Sequence, residues 1–297
     1  MSISKYIAPI NQSTELVKQL LIEEFSIDEK FAIQLSNIYK QHFDELSDTC
    51  FLLAETNYVD KVYRDSYYTY YSSKLVPYKR DCVRISIFEG EVKEEYFTDN
   101  NYLSVIQKNY RGFIILRPTE PQIIGRSIIS PMALKNNGFL SCSAKINTTV
   151  NSIKVRVDGF PHSSQDSETI SCAETTLWAI MEYFGNKYPE YKPVLPSTII
   201  KSLNKVSFER QVPSKGLNIQ QMSFALKEFG FGTRIYSLGS YNNDFKRLLS
   251  TYIESGIPII IAIDNRHKGG GIGHALLCIG RQKIEDENIE RIRVYTE

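Results

Sequence analysis

The chain has 297 residues, enough for two domains, and its 42% hydrophobic and 23% charged fractions are those of a globular protein able to bury a sizeable core. A formal net charge of +1 provides no overall field that would gather nucleic acid or anionic lipid. No run approaches the ~20 apolar residues of a membrane-spanning helix, and the first residues, Met1–Pro9, lack the apolar stretch of a secretion signal. A cytoplasmic protein without a membrane span is expected.

The five cysteines, Cys50, Cys82, Cys142, Cys172 and Cys278, are odd in number and contain no CxxC pair. This pattern argues for reduced thiols and against a disulfide framework or a cysteine-rich zinc site.

From the N-terminus, residues 13–51 carry two helical patterns. The first has Leu16, Leu20, Leu21 and Phe25 on one face; the second is expected to start at Ser26, with Glu29 completing a capping box, and to run through Phe31, Ile33, Leu35 and Ile38. A helical hairpin results. The tyrosine-dense stretch Tyr63–Tyr71, followed by Lys74, Lys79 and Arg80, can be read as a base-stacking platform or as the half-buried face of an ordinary element, and no nucleic-acid partner is expected. Cys82–Phe88 and Gly112–Leu116 read as strands, Asn136-Asn137-Gly138 as a turn, and Ile153, Val155 and Val157 as one face of a strand ending at Gly159-Phe160-Pro161. The domain boundary is set there: residues 1–158 form a mixed α/β domain of unreadable function, and residues 159–297 a second domain.

That second part begins with a helix from Cys172, capped by Ser171 and stopped by Gly185, with Ala173, Leu177, Ile180, Met181 and Phe184 at helical spacing. Helices follow near 198–203, 219–229 and 244–254, then strands at 258–263 and 275–280 and a last strand at 289–295. The chemistry is expected at Cys172, where the helix dipole and unpaired backbone N–H groups favour a thiolate. A thiol nucleophile also requires a proton-transfer partner, and His274, between Gly273 and an apolar strand, is the candidate. Each has a bland alternative, a structural cysteine and a hydrogen-bonded strand-edge histidine; Cys278, inside Ala275–Ile279, is read as packing.

The ordered set Ser171-Cys172-Ala173, Gly216-Leu217-Asn218-Ile219-Gln220-Gln221-Met222, Gly256-Ile257-Pro258-Ile259-Ile260 and Gly273-His274-Ala275-Leu276-Leu277-Cys278-Ile279-Gly280 resembles papain-like cysteine peptidases. The bacterial double-glycine leader peptidases, which process bacteriocins, are the nearest branch. The likeness is confined to residues 159–297. It implies an α+β fold in which the nucleophile helix packs on an antiparallel sheet bearing the histidine. It also implies cleavage of a peptide or protein substrate through an acyl-enzyme, with neither metal nor organic cofactor. Carried over, Cys172 is the nucleophile and His274 the general acid/base. The family's oxyanion glutamine usually lies six residues before the cysteine; Asp166 occupies that place here, so Gln165, seven before, is the candidate donor beside the Cys172 N–H. The family's orienting Asn or Asp follows the strand after the histidine, a place the resemblance puts beyond Glu297, and the domain is expected to be incomplete there. Asp286 and Asn288 are substitutes for the role or simply turn residues, and Asp264, Asn265 and His267 either line the cleft or solvate a loop. Three functions follow from these residues: a thiol hydrolase acting on a peptide or isopeptide bond, an inert papain-like binding or regulatory module, and an acyltransferase using the same acyl-enzyme.

Overall fold

The computed structural model describes residues 6–166, 168–169, 171–206, 216–241, 244–263 and 274–282. In chain order these form β1 (Tyr6–Pro9), α1 (Ser13–Phe25), α2 (Glu29–Asp44), β2 (Cys50–Tyr58), α3 (Lys61–Thr69), β3 (Cys82–Glu89), α4 (Leu103–Asn109), β4 (Tyr110–Leu116), β5 (Ser127–Ile129), β6 (Phe139–Ser141), β7 (Ala144–Val150) and β8 (Ile153–His162). The second half supplies α5 (Cys172–Lys187), α6 (Pro196–Leu203), α7 (Ile219–Glu228), α8 (Leu238–Tyr241), α9 (Phe245–Glu254), β9 (Ile259–Ile263), β10 (His274–Cys278) and β11 (Gly280–Gln282). The fold is mixed α+β with antiparallel strand pairing. Among the described residues no helix is long and apolar enough to cross a membrane.

The first half is organised by a seven-stranded sheet of order β1-β2-β3-β4-β5-β8-β7, antiparallel at every pairing. Its two faces carry separate cores because successive side chains along a strand point opposite ways. Leu52, Ala54, Ile114 and Leu116 pack under the hairpin of α1 and α2, whereas Leu53, Phe113 and Ile115 pack with Tyr63, Tyr71 and the inward residues Ile146, Val155 and Val157 of β7 and β8. The tyrosine-dense stretch is therefore mostly helix α3 and the turn after it, with Tyr63, Tyr70 and Tyr71 buried and Tyr68 exposed. Those three buried rings are part of the core on that face.

Three boundaries differ from the sequence expectation. Helix α2 is capped by Asp28, whose carboxylate accepts from the N–H groups of Lys30 and Phe31 at 3.0 and 3.3 Å, while Ser26 has φ 59° and closes α1 instead. The buried stripe of α2 is correspondingly Ala32, Leu35, Ser36, Tyr39 and Phe43, leaving Ile33 and Ile38 exposed. Helix α5 runs past Gly185 to Lys187. Strand β8 extends to His162, so a division after residue 158 falls inside it.

Helix α5 is the centre of the second half. Every side chain from Ala173 to Tyr183 is buried, and the helix lies among β7, β8, α6, α7 and β10. A helix enclosed on all sides needs apolar residues around its whole circumference, and Trp178, Leu177, Ile180 and Met181 supply them. The core around α5 also takes Val62, Cys142, Ala144 and Phe160 from earlier in the chain, and β6 pairs with β11.

Candidate functional site

Ser171 has extended backbone angles and forms a capping box with Glu174, its N–H donating to Glu174 Oε2 at 3.0 Å. The box satisfies orphan donors of the first turn and fixes where the helix begins. Cys172 is consequently its first helical residue. It is half-buried at the edge of the α5 core, whereas Cys50, Cys82 and Cys142 are fully buried. Burial, helped by the Glu89 charge, pushes the Cys50 thiol up to about 11; burial also raises Cys82 and Cys142. Those three thiols are held protonated and screened from solvent, a state that suits packing and not nucleophilic chemistry.

His274 opens β10, opposite Ile263 of β9. Tyr183, in the C-terminal half of α5, donates to the carbonyl of Gly256 at 2.7 Å, which anchors the chain entering β9 against that half of the helix. Strand β9 leads away from this anchor, and β10 begins opposite its far end. His274 thus lies at the hairpin end remote from the Tyr183 anchor, as Cys172 lies at the helix end remote from it. The next residue, Ala275, is buried in the α5 core, and alternation puts His274 on the other face with Leu276, both exposed. No hydrogen bond joins Cys172 to His274 among the described residues; the two candidates stand on α5 and on β10, which packs against it.

Gln165 is half-buried, in the segment between β8 and α5. Its neighbour Asp166 is buried and serves the backbone: its Oδ1 accepts from the N–H groups of Glu168 and Thr169 at 3.0 and 2.7 Å, and its Oδ2 accepts from the Thr169 hydroxyl. A carboxylate committed to three donors of its own turn cannot donate to an oxyanion, whereas an amide side chain such as that of Gln165 carries N–H donors. Asp264, Asn265, His267, Asp286 and Asn288 lie outside the described residues. Across from Cys172, Gly216 comes close to the cap, since a Cβ there would lie 4.0 Å from Ser171 Oγ. Asn218 then caps α7 in a box with Gln221. Among the described residues no group of three or more His, Cys, Asp or Glu side chains gathers to hold a metal ion.

Sequence reasoning overlooked how strongly the first half holds this unit. Glu182 of α5 is buried and pairs with Lys61 of α3 at 3.0 Å and with Arg126, before β5, at 3.2 Å. Asp65 of α3 accepts from the N–H and hydroxyl of Ser197 at 2.8 and 2.7 Å, capping α6 from a distant part of the chain. Tyr70 and Lys74 both reach Glu168. The local cap of α3, Asp60, is the one part of this set with a sequence signal, an Asp immediately before a helical run. Partners from 56 to 132 positions apart leave no such trace. Compared with protein-family models, curated proteins and solved structures, the chain matches none.

Proposed function

We propose that the protein is a thiol-dependent hydrolase of papain-like type that cleaves a peptide or isopeptide bond. The observation that carries this reading is a half-buried cysteine on the first turn of α5, with β10, the strand that packs on that helix, starting at a histidine. In the proposed reaction Cys172 Sγ, as thiolate, attacks the carbonyl carbon and the oxyanion takes hydrogen bonds from the Cys172 N–H and Gln165. His274 then protonates the departing amine, the C–N bond breaks, and a thioester remains on Cys172. Water, deprotonated by His274, hydrolyses that thioester and returns the thiol. An amine in place of water gives acyl transfer through the same intermediate.

A second reading, an inert papain-like module that binds peptides, is favoured by the exposed His274, which alternation puts on the face of β10 opposite buried Ala275. Iodoacetamide alkylation followed by peptide mass spectrometry separates the two. For the hydrolase, His274→Ala slows alkylation at Cys172 by about tenfold or more while Cys278, also half-buried, keeps its rate. Equal rates at Cys172 in the parent and the variant refute the hydrolase reading and leave the binding module.

A further inference from the structure

We infer that α3 and the turn after it are positioning elements for the oxyanion side of the site, an inference that rests on the reading of Cys172 as nucleophile. In the segment before Cys172, the described residues Ser164, Asp166, Glu168 and Thr169 take part in hydrogen bonds. Asp166 gathers the N–H groups of Glu168 and Thr169 and the Thr169 hydroxyl. These ties are internal to the segment and fix its shape, not its place.

Its place comes from the first half of the chain. The Tyr70 hydroxyl donates to Glu168 Oε2, and Lys74 Nζ lies 3.4 Å from the same oxygen and 4.1 Å above the Tyr70 ring. Ser66 Oγ sits 3.4 Å from Thr169 Oγ1, both residues being buried. Burial holds the Tyr71 phenol protonated, and the charge of Asp166 adds to the effect. Three residues from one helix and its following turn, Ser66, Tyr70 and Lys74, therefore reach Glu168 and Thr169, between Gln165 and the Ser171 cap. Helix α3 is itself immobilised by Asp60 at its start and by the Lys61 pair with Glu182 on α5. Glu168 and Thr169, in the segment that joins Gln165 to α5, are thereby held to α3 and the turn after it.

The chemistry this serves is orientation. An oxyanion donor works only where it already points at the developing charge, and displacements well below the length of a bond to substrate are costly. Tyr70, Lys74 and Ser66 are positioning residues, since they act through Glu168 and Thr169 on Gln165 and touch no reacting atom. The first half of the chain is then a structural part of the site, in addition to any contact it makes with substrate.

Two reagents that modify the same thiol by different routes test this in the full chain. In alkylation, Cys172 Sγ displaces iodide from the methylene of iodoacetamide and no oxyanion forms. In acylation by p-nitrophenyl acetate, Sγ attacks the acetyl carbonyl, an oxyanion forms, and p-nitrophenolate leaves with the C–O electron pair to give the thioester. Tyr70→Phe, which removes one hydroxyl, is expected to slow acylation by about tenfold while leaving alkylation within about twofold of the parent. It should also speed amide hydrogen exchange at Thr169 by about tenfold. Glu168→Ala should reproduce both effects, and the double variant should be no worse than either single one, because the two groups act as one contact. Unchanged exchange at Thr169, or acylation and alkylation slowed equally, overturns the positioning role. A parent protein that p-nitrophenyl acetate does not acylate at Cys172 overturns the hydrolase reading itself, and this role with it.

Discussion

Gly185 illustrates how one residue can satisfy a sequence rule for the wrong reason. A glycine at the end of an apolar helical run predicts a stop, yet α5 continues to Lys187 and is capped by Tyr188, immediately before Pro189. Glycine is required because the chain returning through Lys192 and Pro193 crosses the helix there: a Cβ at position 185 would meet Pro193 N at 2.4 Å and Pro193 Cδ at 2.6 Å. Ordinarily Gly→Ala in a helix interior stabilises by about 1 kcal/mol. Here the added methyl group meets backbone, which cannot swing aside as a side chain does, and overpacking of this kind costs about 1–3 kcal/mol. Gly185→Ala is therefore expected to lower the stability of the protein in urea unfolding. Gly232→Ala, at a site where a Cβ meets nothing within 4 Å, is the control and should stay within about 0.5 kcal/mol of the parent.

At the level of elements, what was legible in the sequence is what is written locally. The hairpin of α1 and α2, the strands β3 and β4 and the helices α5, α6, α7 and α9 each carry their own periodicity and punctuation, and each is present. The capping box of Ser171 and Glu174 was similarly readable for its Ser171 end. The start of α2 was misjudged because Ser26 and Asp28 are both acceptable caps, and the choice falls to Asp28 once Ile27 is drawn into the core under α1. What could not be read is the set of charged ties between elements, including the approach of Arg126 to the buried cap Asp60. Its Oδ2 accepts from the N–H groups of Val62 and Tyr63 at 3.0 and 2.8 Å, while Arg126 lies 4.0 Å from Oδ1. Burial raises its carboxyl above the ordinary 3.8, with Arg126 and the two N–H groups opposing. The sign follows from linkage: below 3.8 both folded and unfolded chains hold the proton, and above it the unfolded chain loses it first. Stability contributed by this group is therefore present at low pH and is lost as pH rises through the folded value. Asp60→Asn cannot ionise and retains a capping oxygen, so its stability relative to the parent should improve as pH is raised from below the ordinary 3.8 to neutrality. A melting-temperature difference between the two proteins that is flat across that range, or moves the other way, would show that Asp60 is not held up by its surroundings.

For the whole molecule, the question is whether the two halves seen in the sequence are independent. The peptidase-like resemblance begins near residue 159, but the contacts that define its central helix do not. The core around α5 includes Val62, Cys142 and Ala144; Glu182 depends on Lys61 and Arg126 for its charge balance; α6 is capped by Asp65; and β11 finds its partner in β6. Removing residues 1–158 would cut β8 in two and expose the apolar surface of α5 that faces β7. It would also leave Glu182, whose side chain is 1% exposed, without either cation. Stranding one buried charge costs about 3–5 kcal/mol, a large fraction of the ~5–15 kcal/mol that holds a domain folded, before any lost burial is counted. The expected outcome is that the full chain unfolds in a cooperative thermal transition followed by far-ultraviolet circular dichroism, whereas a polypeptide of residues 159–297 shows no such transition. Restoring charge balance should not rescue it: Glu182→Gln in the shorter polypeptide removes the stranded carboxylate but not the exposed face of α5, and should remain without a transition. A cooperative unfolding step in either short polypeptide would mean that α5 and its hairpin form a self-sufficient core, and that the first half is an addition to the candidate site instead of part of its frame.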